Sequence, residues 1–340
     1  MNELKNKKHY LGIDISKDTL DLSLIHKSSY GTFKDKKVLN SFNGFKILYS
    51  WLLKEKVDIN ECLICMEHTG AYGLLLFAWL SQTGIDYCVE PGLEIKRSIG
   101  MTRGKSDRVD ARRIADYAYT HVEKLKLFKF PSTLMIQIKQ SLTYREQMVK
   151  IKTALKNSLK SHNEYQKVSG LIKISEQISQ QIKEQEKNIK KIENQIVDLI
   201  NTDKNVKKNF EMAKSVKGIG FVISAFMLVT TNNFTGFENG RKYACYAGVA
   251  PFEFVSGTSI RGKTKVSNLG NKKIKALLSN GANSACKYDL ELNAYYKRKS
   301  KEGKDHKVII NAISCKLINR VFAVVKRQTP YVSIYEQNFA

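Results

Sequence analysis

Between residues 9 and 121 the chain switches repeatedly between two periodicities, and this switching limits its fold more than any other feature. "YLGIDIS" and "TLDLSLIH" alternate apolar and polar residues, the pattern of strands with one face turned inward, and "KKVLNSF" is a third short strand. "NGFKILYSWLLKEK" changes to helical spacing with Asn43 as its cap, and "CLICME" is an apolar run suited to a buried strand. "AYGLLLFAWLSQTG" is a helix closed by Gly84, "DYCVE" another strand, and "SDRVDARRIADYAYTH" a helix with Ser106 at the cap position. The order β-β-β-α-β-α-β-α predicts a mixed sheet covered by helices.

From about 133 to 212 the character changes. Ile174, Ile178, Ile182, Ile189, Ile192, Ile196 and Leu199 recur at three-and-four spacing with charges between them, which predicts an antiparallel hairpin or coiled coil, imperfect at Gln185. The stretch from 213 to 340 is mostly helical. Its "KGIG" turn precedes an apolar helix, where Gly218 and Gly220 serve either as a plain helix start or as a close approach for a phosphate. The longest uncharged apolar run, 221–229, falls short of the roughly 18 residues of a membrane span, and "MNELKNKKHYLGIDISKD" does not have the form of a signal peptide, so no membrane partner is expected. The "CLICME" cysteines, Cys62 and Cys65, would point to opposite faces of a strand and are expected in the core of a reduced protein rather than on zinc.

Lys and Arg total 57 against 32 Asp and Glu, a formal charge of +25 spread along the chain, which favours a nucleic acid as partner. Between 241 and 275 there are eight basic residues and one acid, Glu253, around a Ser/Gly/Thr-rich loop after Pro251. Arg261, Lys263, Lys265, Lys272 and Lys273 are therefore expected to face phosphates.

Four acids stand out against this basic background. Asp14 lies in the middle of the first strand, where an unpaired carboxylate is costly to bury, and Glu67 closes "CLICME". Asp107 and Asp110, at i and i+3, share one helix face among Arg103, Lys105, Arg108, Arg112 and Arg113. Adjacent strands and a covering helix would bring the four together, and their repulsion is relieved by one or two Mg²⁺ ions bound through oxygen. Asp18 and Asp21 fall in or after the turn to the next strand and fit less well. On this reading the arginines form a phosphate-facing rim.

"GIDISKDTLDL", "MEHTGAYG" and "GKSDRVDARRIADYA", in that order, resemble the RuvC-type, ribonuclease-H-like domain of the DEDD insertion-sequence transposases, the family that includes the Piv-type invertases. "VKGIGFVISAFML" and "YACYAGVAPFEFVSGTSIRGKTKVSNLGNKKIKALL" are similar to that family's C-terminal domain. The resemblance implies a catalytic and metal-binding tetrad of Asp14, Glu67, Asp107 and Asp110, and a nucleophilic serine at Ser256, with Ser259 as the alternative hydroxyl. It implies a RuvC-like domain over 1–130, a helical connector over 131–212 and a serine-containing transposase domain over 213–340. It further implies two Mg²⁺ ions with Mn²⁺ as a substitute, element-end and target DNA, a structured bridge RNA as guide, a homo-oligomer (dimer or tetramer) with the acids of one subunit meeting the serine of another, and a cytoplasmic, nucleoid-associated location.

No Ser-His-Asp arrangement surrounds Ser256, the nearest histidine in sequence being His306, so activation by the tetrad's metal is the expected source of nucleophilicity. Ser256 would attack a phosphodiester and form a phosphoserine. The rivals are a site-specific invertase of the same family, a RuvC-like nuclease using water, and a non-catalytic nucleic-acid-binding protein whose acids only form salt bridges.

Overall fold

Leu11, Ile13 and Ile15 project to one side of strand β1 (His9–Ile15), and Tyr10, Gly12 and Asp14 to the other. That alternation decides how the rest of the first unit assembles. In this computed structural model, which describes residues 3–98, 106–165, 174–256 and 260–332, the chain divides into two units, 1–130 and 131–340.

In the first unit β1 is the centre of a five-stranded sheet of order β3-β2-β1-β4-β5, with β2 (Thr19–His26), β3 (Phe33–Leu39), β4 (Cys62–Glu67) and β5 (Asp86–Glu90). Only β2 runs against the others: it is antiparallel to β1 and β3, while β1, β4 and β5 are mutually parallel. One face carries Leu11, Ile13, Leu20, Leu22, Ile64 and Met66, covered by Phe45, Leu48 and Leu52 of α1 (Phe42–Lys54) and Leu76 and Leu80 of α2 (Leu74–Thr83). The opposite face carries Tyr10, Leu63, Cys65 and Cys88 beneath Ile95 of α3 (Gly92–Ser98) and Ile114, Tyr117 and Ala118 of α4 (Asp107–Thr120). Each aliphatic side chain so buried stabilises by about 2 kcal/mol, which is why the register is tightly specified. Cys62 and Cys65 are both buried and belong to opposite faces.

The caps show where local patterning is and is not decisive. Ser106 Oγ accepts from the Val109 amide at 3.3 Å and starts α4. For α1 the cap is Ser41, accepting from Gly44 N at 3.3 Å, and not Asn43, because β3 ends at Leu39 and brings the chain into the helix two residues sooner. The short helix α3 was not expected, and the third strand starts at Phe33 rather than Lys36.

In the second unit α5 (Thr133–Tyr165) and α6 (Ser175–Asn201) run antiparallel, with Ile178, Ile182, Ile189, Ile192, Ile196 and Ile200 buried along the seam. Arg145 meets Glu193 at 2.6 Å and Lys156 meets Glu186 at 3.4 Å, which fixes the direction. Gln185 Oε1 is buried in this seam without a hydrogen-bond partner among the described residues. Met135, Ile138 and Leu142 share a core with Ile196, Val206 and Phe210 of α7 (Lys204–Ser215) and Leu228 of α8 (Phe221–Thr230). A second core joins α9 (Gly240–Tyr246), α10 (Lys272–Tyr288), α11 (Leu290–Lys301) and α12 (His306–Arg327). By length and composition α12 is apolar enough to cross a membrane, yet Ile309, Ile313, Leu317, Val321 and Val324 are buried in this core. The segment expected as a loop after Pro251 is instead a β-hairpin, β6 (Pro251–Ser256) paired antiparallel with β7 (Ile260–Val266). Phe252, Phe254 and Ile260 supply β-propensity that the surrounding Ser, Gly and Thr obscured.

Candidate active site

On the α4 side of the sheet, acids stand at one level across adjacent strands. Asp14 is the register partner of Asp21 in β2, and Asp21 that of Lys37 in β3. On the other side Ile13 pairs with Met66, so the next step of the ladder sets Asp14 beside Glu67, which is itself the partner of Glu90 in β5. This row sits at the carboxyl ends of the parallel strands β1, β4 and β5, where chain direction leaves an open edge for the loops that follow. Asn40 holds two of those loops: its amide nitrogen donates to Ser16 O and to Tyr72 O, each at 3.0 Å, tying the turn after Asp14 to the segment after Glu67.

Helix α4 lies directly on this row because Gly12 has no side chain. A Cβ at Gly12 would fall 2.2 Å from Ala111 O and 2.3 Å from Ala115 N, so backbone meets backbone there. Asp107 and Asp110 occupy the first turn of α4, at the same end as Asp14. Arg112 Nε donates to Asp35 Oδ1 and Oδ2 at 3.1 and 3.0 Å, Ser23 Oγ donates to Asp35 Oδ1 at 2.9 Å, and Arg108 stands 3.8 Å away, which fastens the helix to β3 and β2. Charge assistance from these donors holds the Asp35 carboxyl below the usual carboxylate range against the opposing effect of burial.

The four acids expected as a tetrad are thus brought together electrostatically. Burial first, and then the charges of Asp110, Asp107, Glu67 and Asp21, push the Asp14 carboxyl up to about 6. No Lys or Arg among the described residues forms an ion pair with Asp14, whereas Asp21 is paired with Lys37 at 3.0 Å and Asp110 with Arg113 at 2.9 Å. As the side chains stand, no three His, Cys, Asp or Glu groups among the described residues converge closely enough to hold a metal ion. Of the residues expected as a phosphate-facing rim, Arg112 turns to Asp35 and Arg113 to Asp110, since a partly buried carboxylate draws the nearest guanidinium, while Arg108, two-thirds exposed, stands 3.8 Å from Asp35. Arg103 and Lys105 lie outside the described residues. Lys37 and Glu90 carry no signal of their own in the sequence, and Asp21, which fits less well by its place after a turn, stands in this row, as the apolar set Leu20, Leu22 and Leu24 already implies by putting it on the face of Asp14.

Glu67 is seated by a second close approach. A Cβ at Gly92 would lie 1.9 Å from Glu67 Oε1, so Gly92→Ala is expected to push this carboxylate aside without disturbing backbone contacts. Any activity that depends on the seating of Glu67 should fall by about 10- to 100-fold, as for residues that orient a ligand, while the melting temperature stays within a few degrees of wild type.

The residues expected in the second unit are arranged differently. Ser256 ends β6 opposite Ile260, Arg261 and Lys263 stand in β7, and Ser259 lies outside the described residues. Lys265 and Lys272 are exposed, while Lys273 is engaged by Glu146 and lies 4.9 Å from the centre of the Phe226 ring. Gly218, at φ +92°, packs where a Cβ would lie 2.6 Å from Gly281 O, so helix packing accounts for it; Gly220 instead borders an open cleft of about 470 Å³ with Arg145, Glu193 and Phe221.

A family model described as "Transposase", of the IS110 type, matches residues 11–163, and a second, described as "Transposase IS116/IS110/IS902 family", matches residues 211–297. Together they take in both units and most of the chain. The chain belongs to the IS110 family of transposases. The transposase is similar along almost its whole length to the "Pilin gene-inverting protein" of Moraxella lacunata and that of Moraxella bovis, each 26% identical over 334 residues, covering 95% of this chain and 98% of the relative. It is also 32% identical over 119 residues to the "Insertion element IS110 uncharacterized 43.6 kDa protein" of Streptomyces coelicolor, a match covering 35% of this chain and 29% of that protein. As a transposase it is an enzyme that acts on DNA.

Proposed function

We propose that this transposase cuts and rejoins DNA strands through a Mg²⁺-dependent carboxylate centre and a serine nucleophile. The observation that carries the reading is Asp14: a carboxylate held in a shielded row, pressed by Asp110, Asp107 and Glu67, and without an ion-pair partner among the described residues. An all-oxygen donor set of this kind suits a hard divalent ion, with Asp14, Glu67, Asp107 and Asp110 as its holders. When bound, Mg²⁺ supplies Lewis-acid polarisation of the phosphodiester and stabilises charge on the attacking and leaving oxygens. The mixed sheet with one reversed strand, its central acid and α4 across it support a RuvC-type, ribonuclease-H-like domain.

Ser256 Oγ attacks phosphorus and gives up its proton, the bond from phosphorus to the leaving sugar oxygen breaks, and that oxygen departs as a hydroxyl. The product is a phosphoserine that a second strand end resolves. Lys265 and Lys272, exposed in a segment with eight basic residues, neutralise neighbouring phosphates, and the +25 charge accommodates a structured bridge RNA as well as DNA. The enzyme works as a homo-oligomer. A second reading, site-specific inversion, is favoured by the end-to-end similarity to the two pilin gene-inverting proteins.

The test incubates the full chain with DNA carrying an element end, with and without RNA transcribed from the sequence beside the gene, over a MgCl₂ series. Cleaved strand and protein–DNA adduct should appear together, require Mg²⁺ and vanish in EDTA. Cleavage that persists in EDTA sinks the carboxylate centre, and RNA-independent recombination removes the guide. A substrate with two inverted sites separates inversion from insertion by product size.

A further inference from the structure

We propose that Lys37 is a further catalytic residue of this site: its ammonium, delivered to the edge of the carboxylate row by Asp21, binds a non-bridging oxygen of the phosphodiester under attack. The inference rests on the reading of the row as a phosphoryl-transfer centre. Strand alternation brings Lys37 there. On β3, Val38 packs into the core beneath α1 and α2, whereas Asp35 and Lys37 belong to the α4 side, as the contact of Asp35 with Arg112 requires. Lys34 is drawn to Glu55 instead, so the three lysines of this strand do not share one task.

Lys37 faces its register partner Asp21, with Nζ 3.0 Å from Oδ2. The two ends of this pair differ in what they can do. The Asp21 side chain is 12% exposed and fixed in the sheet; that of Lys37 is 54% exposed, a flexible stem with a head that an incoming substrate can reach. The register places Asp21 between Lys37 and Asp14, so the ammonium stands at the edge of the row, and Asp107 and Asp14 add to the negative field that stabilises it. Among the described residues, the guanidinium groups nearby are drawn to other carboxylates: Arg112 is bound to Asp35, Arg113 to Asp110, and Arg108 stands 3.8 Å from Asp35.

The chemistry of phosphoryl transfer asks for such a group. Charge gathers on the equatorial oxygens of the transferring phosphoryl as the bonds exchange, and a compact ammonium with three donors meets it without the fixed fork of an arginine. Asp21 keeps that ammonium in place while the site is empty of substrate, and the long stem lets it turn to the phosphate once DNA is seated.

The experiment measures single-turnover cleavage of element-end DNA by the full-length protein at saturating MgCl₂, with DNA binding by anisotropy and melting temperature recorded for each variant. Lys37→Met is expected to cleave about 100- to 1,000-fold more slowly with binding and melting temperature unchanged, as when one preorganised charge donor is lost. Lys37→Arg should recover part of the rate. Asp21→Asn, which removes the anchor and leaves the ammonium near Asp14 and Asp107, should cost less than about tenfold. Cleavage by Lys37→Met within about threefold of wild type overturns the proposal, as does a loss matched by lost binding; if that variant melts early, Lys37→Gln is read in its place against the same limits. Asp14→Asn in parallel separates the two ideas: if it too cleaves, the carboxylate centre itself is wrong, whereas an inactive Asp14→Asn beside a fully active Lys37→Met removes only the role of Lys37.

Discussion

If Ser256 is the nucleophile, as proposed, Ser256→Ala should form no covalent protein–DNA species at all, and its strand cleavage should fall by on the order of 10⁴-fold or more, because the variant lacks the attacking oxygen. Binding of DNA should be unchanged, since the substitution removes one hydroxyl and no charge. The measurement is a denaturing gel of end-labelled DNA after Mg²⁺ addition, with Ser259→Ala run beside it. Ser256 occupies the last position of β6 opposite Ile260, so the hairpin ladder fixes its backbone. An adduct that survives Ser256→Ala and disappears in Ser259→Ala would move the nucleophile to the second hydroxyl; an adduct surviving both, or water-dependent cleavage with no adduct in wild type, would make this a nuclease-like centre.

The second large effect has opposite signs for activity and stability. Asp14→Asn should lower cleavage by about 1,000-fold or more, about 4 kcal/mol of transition-state stabilisation, since an amide cannot replace the central carboxylate. Without metal the same substitution should stabilise the fold. The Asp14 carboxyl is raised to about 6, so the folded chain prefers it protonated. The stability that goes with that proton is complete below pH 4 and is lost as pH rises from about 4 to 6, up to about 3 kcal/mol by linkage and nearer 1–2 after discounting for its partial exposure. Asparagine carries no such penalty. In EDTA at pH 8 the variant should melt several degrees above wild type, and the two should converge near pH 4. Added MgCl₂ should raise the wild-type midpoint and leave Asp14→Asn nearly unmoved, and because protons compete with the ion for Asp14, lowering the pH should raise the MgCl₂ concentration that wild-type cleavage needs. Equal midpoints in EDTA at pH 8 would show that the row is not electrostatically strained.

Much of the first unit was legible because its signals are local. Two-residue alternation places Leu11, Ile13 and Ile15 against Asp14, and a serine before a polar helical turn marks the start of α4. The same alternation separates Cys62 from Cys65. What was not legible depended on pairing between distant segments. Whether Ser41 or Asn43 caps α1 is set by where β3 leaves the sheet, and both residue types cap helices well. Asp21 was set aside as a residue after a turn, yet the hairpin register puts it directly across from Asp14. The destination of the arginines on α4 required knowing that Asp35 sits two strands away from β1. The hairpin at 251–266 escaped because Ser, Gly and Thr crowd the middle of its sequence while Phe252, one of its pairing residues, is exposed and belongs to no core.

The contact between Gly12 and the backbone of α4 bears on how this enzyme could be re-engineered. Helix and strand touch at Ala111 and Ala115 with no side chain between them, so the distance from Asp14 to the first turn of α4 cannot be shortened, and lengthening it would open a gap in the core. The aperture of the carboxylate row is therefore set by main chain. Changing the preference of this row for the ion proposed there is a matter of altering side-chain length at 107 and 110, where Glu for Asp extends the reach by one methylene, and not of moving the scaffold that carries them.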